Sequence, residues 1–310
     1  MIKPVSCCES AQTPVPCQPC PLCGGSNISV FSAAKGGTLD AGALGSSPTH
    51  VAHGRILDCG DCGFVFSELR PAEEDLHTLY RDLDPGVYEK ESQNRHKTAQ
   101  RHLQIVERFA VKGRLIDVGC ASGSFLDAAV RSGWQVTGVE PASVPCAKAK
   151  ELLRGRGQVI CAALQQAALP AASFDALTLW DVLKHVTNPV TFLRNCVALL
   201  KPGGHLFVNV PDVRSLPARI LGERWPLFLA EHRNYFDRAT LKRCASAAGL
   251  EWIAYGRRPA SFSLEYISSR LARHGIPGSG FAHRVVQKSF LRGVSMPVYL
   301  GETWGAWRKL

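Results

Sequence analysis

From Gly113 onward the chain alternates between two hydrophobic periods. Short apolar runs, RLIDVG, WQVTGVE, QVICA, FDALTLW and HLFVNVP, predict buried strands. Between them, SFLDAAVRSG, the stretch from about Ser143 to Arg154, and FLRNCVALL predict helices. Strand and helix in such alternation predict an α/β fold, a parallel sheet covered by helices on both faces. Upstream, SQNRHKTAQRHLQIVERFA puts Ala99, Leu103, Val106 and Ala110 on one helical face, and AEEDLHTLYRDL predicts a further helix. Downstream, LKRCASAAGLEWIAYG predicts helix then strand, SLEYISSRLARH a helix, and VYLGETWGAWRKL a closing strand.

The first hundred residues follow different rules. Residues 1–16 are rich in Pro, Ser and Cys without a period, which predicts a mobile tail. Then come CPLCGG, a strand candidate NISVFSA, a Gly/Ser-rich loop from Lys35 to Ser47, and a second pair inside GRILDCGDCGFVFS. Cys20-x-x-Cys23 and Cys59-x-x-Cys62 are each followed by Gly, as tight turns presenting two thiolates to one ion require. Four thiolates at about 2.3 Å make a closed tetrahedral zinc site with no position for water, so the metal is structural. The pattern looks like a zinc ribbon. Cys17 can compete as a ligand, and His50 or His53 can replace one thiolate. A β unit with so few large apolar residues needs the metal to stay folded.

Composition narrows the class. With 310 residues, 45% of them hydrophobic, the chain can bury a core that hides roughly 75% of its unfolded surface. No run approaches the roughly 18 to 20 apolar residues that cross a bilayer, and the start has no signal-peptide core, so the expected location is cytoplasmic. Twelve Cys in a chain of this size point to reduced thiols and a metal site rather than a disulfide framework, with Cys120, Cys161 and Cys196 inside core segments. The net charge is +10. Lys242 to Leu310 holds eleven Lys/Arg against three Glu, hence +8. Such a surplus fits an anionic partner (phosphorylated substrate, RNA or a membrane surface) or a solvated basic face.

The chemistry concentrates in LIDVGCASGSFL. Its turn, Gly119-Cys120-Ala121-Ser122-Gly123, departs from the G-x-G-x-x-G dinucleotide spacing. No Gly-Lys pair exists for a P-loop, and no Tyr-x-x-x-Lys pair for a dehydrogenase. What remains is Asp117, a small-residue turn, and Glu140 closing the next strand, 21 residues after Gly119, where a carboxylate can accept from both hydroxyls of a ribose. The ligand expected is an adenosine without a pyrophosphate.

These residues resemble the class I S-adenosylmethionine-dependent methyltransferases. LIDVGCASGSF is similar to their first motif, VTGVEPA to their acidic second-strand end, and FDALTLWDVLKHVTNPVTFLRNCVALLKPGGHLFVNVP to their fourth strand, next helix and fifth strand. The resemblance covers about residues 113 to 210 and implies a Rossmann-like methyltransferase sheet. It also implies the cofactor-binding set Asp117, Gly119, Cys120, Ala121, Gly123, Glu140, Trp180 and Asp181. Asp117 would help bind the amino group, the turn would admit the methionine part, and Glu140 would hold the ribose. Ala121 stands where the family usually has Gly. Lys184 stands where ubiquinone-biosynthesis O-methyltransferases often carry Glu, and its ammonium has no lone pair for a metal. Methyl transfer without a catalytic metal is therefore expected.

For a hydroxyl acceptor, His185 is the leading candidate base and His232 the second, while Trp225, Phe228 and Tyr235 are expected to pack a lid. The D/N/S-P-P-Y/F signature of amine methylation on bases is absent, and WDVLKHV stands instead, which favours oxygen or carbon. The expected organisation is a tail over 1–16, a zinc ribbon over 17–70, a helical connector and cap over 71–112, and the methyltransferase domain over 113–310 with a lid insertion at about 212–236. An N-terminal ribbon resembles deoxysugar C-methyltransferases, a zinc-containing ribosomal RNA group, and enzymes of glycan or secondary-metabolite synthesis. The expected activity is transfer to a hydroxyl of a small molecule or glycan precursor. RNA methylation, gripped by the ribbon and the basic C-terminal part, and a non-catalytic scaffold are the alternatives.

Overall fold

The computed structural model describes residues 18–34, 53–68, 92–273 and 277–310. The tail over 1–16, Cys17, His50 and the helix expected at AEEDLHTLYRDL lie outside them. The segments read as strands are β4 (Arg114–Val118), β5 (Gln135–Val139), β6 (Gln158–Ile160), β7 (Phe174–Leu179) and β8 (Leu200–Pro211). They form one sheet with β10 (Leu250–Arg257) and β13 (Glu302–Lys309), in the order β10-β13-β8-β7-β4-β5-β6. β4 to β8 are parallel. β13, the expected closing strand, runs antiparallel between β8 and β10. The chain leaves β10 for an excursion over 258–301 and re-enters the sheet at the same end, where Arg257 of β10 pairs with Thr303 of β13.

Two cores cover the two faces. On one, α1 (Ser92–Phe109), α2 (Ser124–Arg131) and α3 (Ser143–Leu153) lie over Leu115, Ala176 and Phe207. The predicted face of α1, Ala99, Leu103, Val106 and Ala110, is buried there. On the other, α4 (Pro189–Leu199) and α6 (Arg238–Ala247) cover Ile116, Leu177 and Val208. Residues that alternate along one strand thus feed opposite cores, as the pleat requires.

The N-terminal unit does not stand apart. β1 (Ile28–Ser32), β2 (Ile56–Cys59) and β3 (Val65–Ser67) form an antiparallel sheet whose fourth strand, β9 (Asn234–Tyr235), comes from the segment after β8. Leu57 and Phe66 join the sheet's own core, while Ile56 and Val65, on the opposite face, pack with Val213, Trp225, Phe228 and Tyr235. The small sheet is therefore sandwiched between the large one and the expected lid, which includes the short helix α5 (Leu216–Leu221). One expectation about the thiols is overturned: Cys161, just past β6, forms a disulfide with Cys146 of α3. Their Cα atoms lie 5.7 Å apart, a separation that permits the bond.

Candidate active site

Along the α1–α2–α3 face, side chains turn from apolar to polar as the strands approach their carboxyl ends. β4 goes from Leu115 to Asp117, β7 from Ala176 to Thr178, and β8 from Phe207 to Asn209. Open α/β sheets bind ligands at this edge. Asp117 is buried and accepts a 2.7 Å hydrogen bond from Thr178 Oγ1. Burial raises its pKa to about 7 despite that bond. Glu140 accepts from the backbone N–H groups of Ala121 and Ala142, both at 2.9 Å, which fixes its carboxylate under the turn and leaves lone pairs for further donors. Burial raises its pKa too.

The turn is tight by necessity. Gly119 and Gly123 have φ of 77° and 80°, and a Cβ on Gly119 would sit 2.5 Å from Val182 Cγ2. Ala121 takes φ 46°, the left-handed region that costs an L-residue about 1–2 kcal/mol. Ala121→Gly is therefore expected to raise the melting temperature by about 1–3 °C, after the unfolded chain's added freedom is subtracted. Differential scanning calorimetry decides it: a fall would show that the methyl group is supported rather than strained.

Trp180 and Asp181 follow β7 directly. Trp180 stacks on His102 of α1 at 3.8 Å between centroids, and Phe125 meets it edge-on. Its indole Nε1 is buried without a hydrogen-bond partner among the described residues. Asp181 has φ 63° and accepts from Asn209 Nδ2 at 2.8 Å and from Lys184 Nζ at 2.9 Å. Arg258, at the end of β10, reaches Asp181 at 3.3 Å, Glu302 at 2.7 Å and His102 Nε2 at 2.9 Å. Burial works against the charge on Asp181, but Arg258 and Lys184 hold its pKa well below the usual carboxylate range. Burial, together with Arg258, keeps His102 neutral.

Sequence reasoning missed Arg258, Glu302 and His102, which lie on three separate elements. Only Asn209, a polar residue inside an apolar strand, left a local signal.

His185 and His232 come together, with ring centroids 5.1 Å apart. Each binds a carbonyl of the lid segment through Nδ1: His185 to Glu231 at 2.9 Å, His232 to Leu227 at 2.8 Å. Desolvation and the Lys184 charge push His185 down to about 3, and His232 is lowered as well, first by burial. Trp225, Phe228 and Tyr235 pack as the lid's own cluster.

The four cysteines also converge. The Sγ atoms of Cys20, Cys23, Cys59 and Cys62 lie within 4.8 Å of one another, with Cys20–Cys62 at 3.6 Å and Cys23–Cys59 at 3.7 Å. A tetrahedral ion at about 2.3 Å from each sulfur requires edges of about 3.8 Å, so the donors fit zinc. The two turns are copies of each other: Gly24 N–H donates to Cys20 O at 2.8 Å and Gly63 N–H to Cys59 O at 2.7 Å, with φ of 75° and 73°. That conformation is why Gly follows each pair. His53 is not in the cluster; its Nδ1 lies 2.8 Å from the Gly54 carbonyl.

Comparison with known proteins now bears on this geometry. The family model described as a methyltransferase domain matches residues 91–255, more than half of the 310-residue chain. The chain belongs to this methyltransferase family. The ubiquinone biosynthesis O-methyltransferase of Idiomarina loihiensis is 33% identical over 153 residues, 46% of this chain and 63% of that enzyme, so less than two thirds of its length is matched. The Ralstonia nicotianae enzyme of the same name is 28% identical over 214 residues, 62% of this chain and 89% of its own. Phosphoethanolamine N-methyltransferase 2 of Haemonchus contortus, solved with S-adenosyl-L-methionine, shares the fold at TM-score 0.50 and 16% identity, covering 79% of this chain and 61% of that one.

The methyltransferase's own residues fit that cofactor. Asp117 and Glu140 are buried carboxylates that form no ion pair among the described residues, as a site awaiting an ammonium and ribose hydroxyls requires, and Trp180 Nε1 is a donor at the end of β7, the strand next to β4.

Proposed function

We propose that this enzyme transfers the methyl group of S-adenosylmethionine to a hydroxyl of a small molecule or glycan precursor. The observation that carries oxygen over other acceptors is the likeness to O-methyltransferases over 89% of the Ralstonia enzyme's length. The bound cofactor supplies the electrophilic methyl. Gly119, Cys120, Ala121 and Gly123 line its approach; Asp117 faces its ammonium, Glu140 its ribose, and Trp180 and Asp181 the side where the acceptor enters. In this reading the lid over 212–236 excludes water, and zinc on Cys20, Cys23, Cys59 and Cys62 holds the ribbon over 17–70. The catalytic domain in this reading runs over 113–310, and α1 (Ser92–Phe109) is the described part of the connector and cap expected over 71–112.

His185 takes the acceptor's proton. Its Nδ1 lies 2.9 Å from the Glu231 carbonyl, which fixes the ring, and the low pKa keeps the imidazole neutral at working pH while making it a weak base that assists only as the methyl transfers. His232 positions the lid turn instead, since it is buried against Leu227. The test is transfer of labelled methyl from the cofactor to a panel of phenols, catechols and sugar hydroxyls. His185→Gln is expected to lower kcat about 100-fold with the cofactor's Kd unchanged. Label appearing only on amines, or a variant with full kcat, would refute the assignment.

Asp117 gives the binding a pH dependence. The folded, cofactor-free enzyme keeps this proton up to about pH 7, whereas the cofactor's ammonium favours the ionised carboxylate, so binding expels the proton. Affinity should rise with pH by up to about tenfold per unit below 7 and level above it. The same burial makes the cofactor-free fold lose stability as pH rises from about 4 to about 7, because there the folded form binds more protons than the unfolded one. Calorimetric titration between pH 5.5 and 8.5, roughly spanning that step, measures the slope. A flat profile in wild type, or an unchanged slope in Asp117→Asn, would remove Asp117 from the site.

A further inference from the structure

The excursion between β10 and β13 has a composition unlike the rest of the chain. From Tyr266 to Gly301 there are five Lys/Arg and no Asp or Glu, half of the molecule's net charge of +10. The excursion is a two-stranded ribbon, β11 (Ala260–Ser263) with β12 (Ser295–Val298), capped by helices α7 (Leu264–Arg273) and α8 (Ser279–Gln287) and a 3-10 turn, Phe290–Gly293. It lies outside the residues matched by the family model, 91–255.

Its outer surface is apolar where a soluble surface would be polar. Phe290 is 89% exposed and Phe281 68%, and Val285, Leu291, Val294 and Met296 are exposed beside them. Phe281 and Val285 are four residues apart and share one face of α8. Arg284, Lys288 and Arg292 are exposed among them and form no ion pair within the described residues. Exposed aromatic and aliphatic side chains interleaved with cations, with no acid in between, have the composition of helices that lie in a membrane interface.

We propose that the 264–298 excursion docks the enzyme on the surface of an anionic phospholipid bilayer, with Phe281, Val285 and Phe290 entering the acyl boundary and Arg284, Lys288 and Arg292 meeting lipid phosphates. Charge decides between occupants. A second copy of the chain, packed on this face by a two-fold axis, would set Arg284, Lys288 and Arg292 against their own copies, with Glu265 the excursion's single carboxylate to relieve them. RNA phosphates would satisfy the cations but leave the aliphatic residues in water.

The test is co-sedimentation of the full-length protein with vesicles of phosphatidylcholine alone and of phosphatidylcholine with phosphatidylglycerol. Binding is expected only to the second, weakened by salt, and reduced at least about tenfold in Phe281→Ser/Phe290→Ser. Arg284→Glu/Lys288→Glu should abolish the anionic preference. All four side chains are exposed, so circular dichroism and cofactor affinity should be unchanged. Failure to bind anionic vesicles overturns the proposal, as does equal binding by the Phe double variant. A dimer in light scattering that the same variant dissolves, or RNA binding without vesicle binding, assigns the face to those partners instead and equally overturns it.

Discussion

With zinc on the four thiolates as proposed, chelating it is expected to take methyl transfer down at least about 100-fold, although no thiolate is part of the proposed cofactor or acceptor site. The route is mechanical. Cys62 ends a turn three residues before β3, and β3 pairs Val65 with Tyr235 and Phe66 with Asn234 of β9. Asn234 in turn donates through Nδ2 to the carbonyls of Leu183 and Val186, at 3.1 and 2.7 Å, and the backbone N–H groups of Arg233 and Asn234 both donate to Lys184 O. The segment framed by these bonds carries His185. Without the ion the two Cys turns have little to hold them, β3 loses its anchor, and the lid cluster of Trp225, Phe228 and Tyr235 loses Ile56 and Val65 as its floor. A displacement of about 1 Å at His185 accounts for a loss of that size. The cofactor's affinity should change far less, because Asp117, the Gly turn and Glu140 sit on the α1–α2–α3 side of the sheet. Metal analysis of the purified protein should give one zinc per chain. Cys59→Ser should lose it, with a melting temperature lower by about 10 °C. Full activity in zinc-free protein would show that ribbon and lid are uncoupled.

That coupling could not be read from the sequence, and the reason is physical. The strands β4 to β8 were legible because each is a continuous apolar run between helix-period stretches, a pattern that needs no partner to be recognised. The Cys pairs were legible because metal geometry fixes their spacing locally. β9 is two residues long, too short for any period, and it is a strand only because β3 lies beside it. The place of β13 depends on an excursion of some forty residues returning between β8 and β10, which fixes its direction but leaves no mark on its own alternation. Cys146 and Cys161 carry no signal of their bond either, since it follows from α3 and the end of β6 being neighbours in space. In the site, Asp117, the Gly turn and Glu140 were found by spacing within one strand–turn–helix–strand unit, whereas Arg258, which acts with Lys184 on Asp181, comes from just past β10 and is itself held by His102 of α1 and Glu302 of β13.

Those distant groups predict the second large effect. Arg258→Ala is expected to destabilise the fold by about 3–5 kcal/mol, the cost of breaking a buried ion pair from one side. In the wild type two cations, Lys184 and Arg258, face two carboxylates, Asp181 and Glu302, with all but Asp181 almost wholly buried. Removing Arg258 leaves both carboxylates to Lys184, which is 2.9 Å from Asp181 but 4.0 Å from Glu302, so Glu302 becomes a buried charge without a close partner. It also frees His102 Nε2, the acceptor that orients the ring stacked on Trp180, and so loosens α1 at the cofactor's edge. The melting temperature should fall by about 10 °C, and cofactor affinity should fall with it. Arg258→Lys keeps the charge but lacks the fork that serves Glu302, Asp181 and His102 together, so it should recover only part of the loss. The discriminating measurement is the pair of thermal unfolding curves for Arg258→Ala and Arg258→Ala/Glu302→Gln. If an unpaired buried carboxylate is the cause, neutralising Glu302 restores about 1 kcal/mol or more; if the double variant is no more stable than the single, the network contributes through packing of the arginine stem and not through its charge.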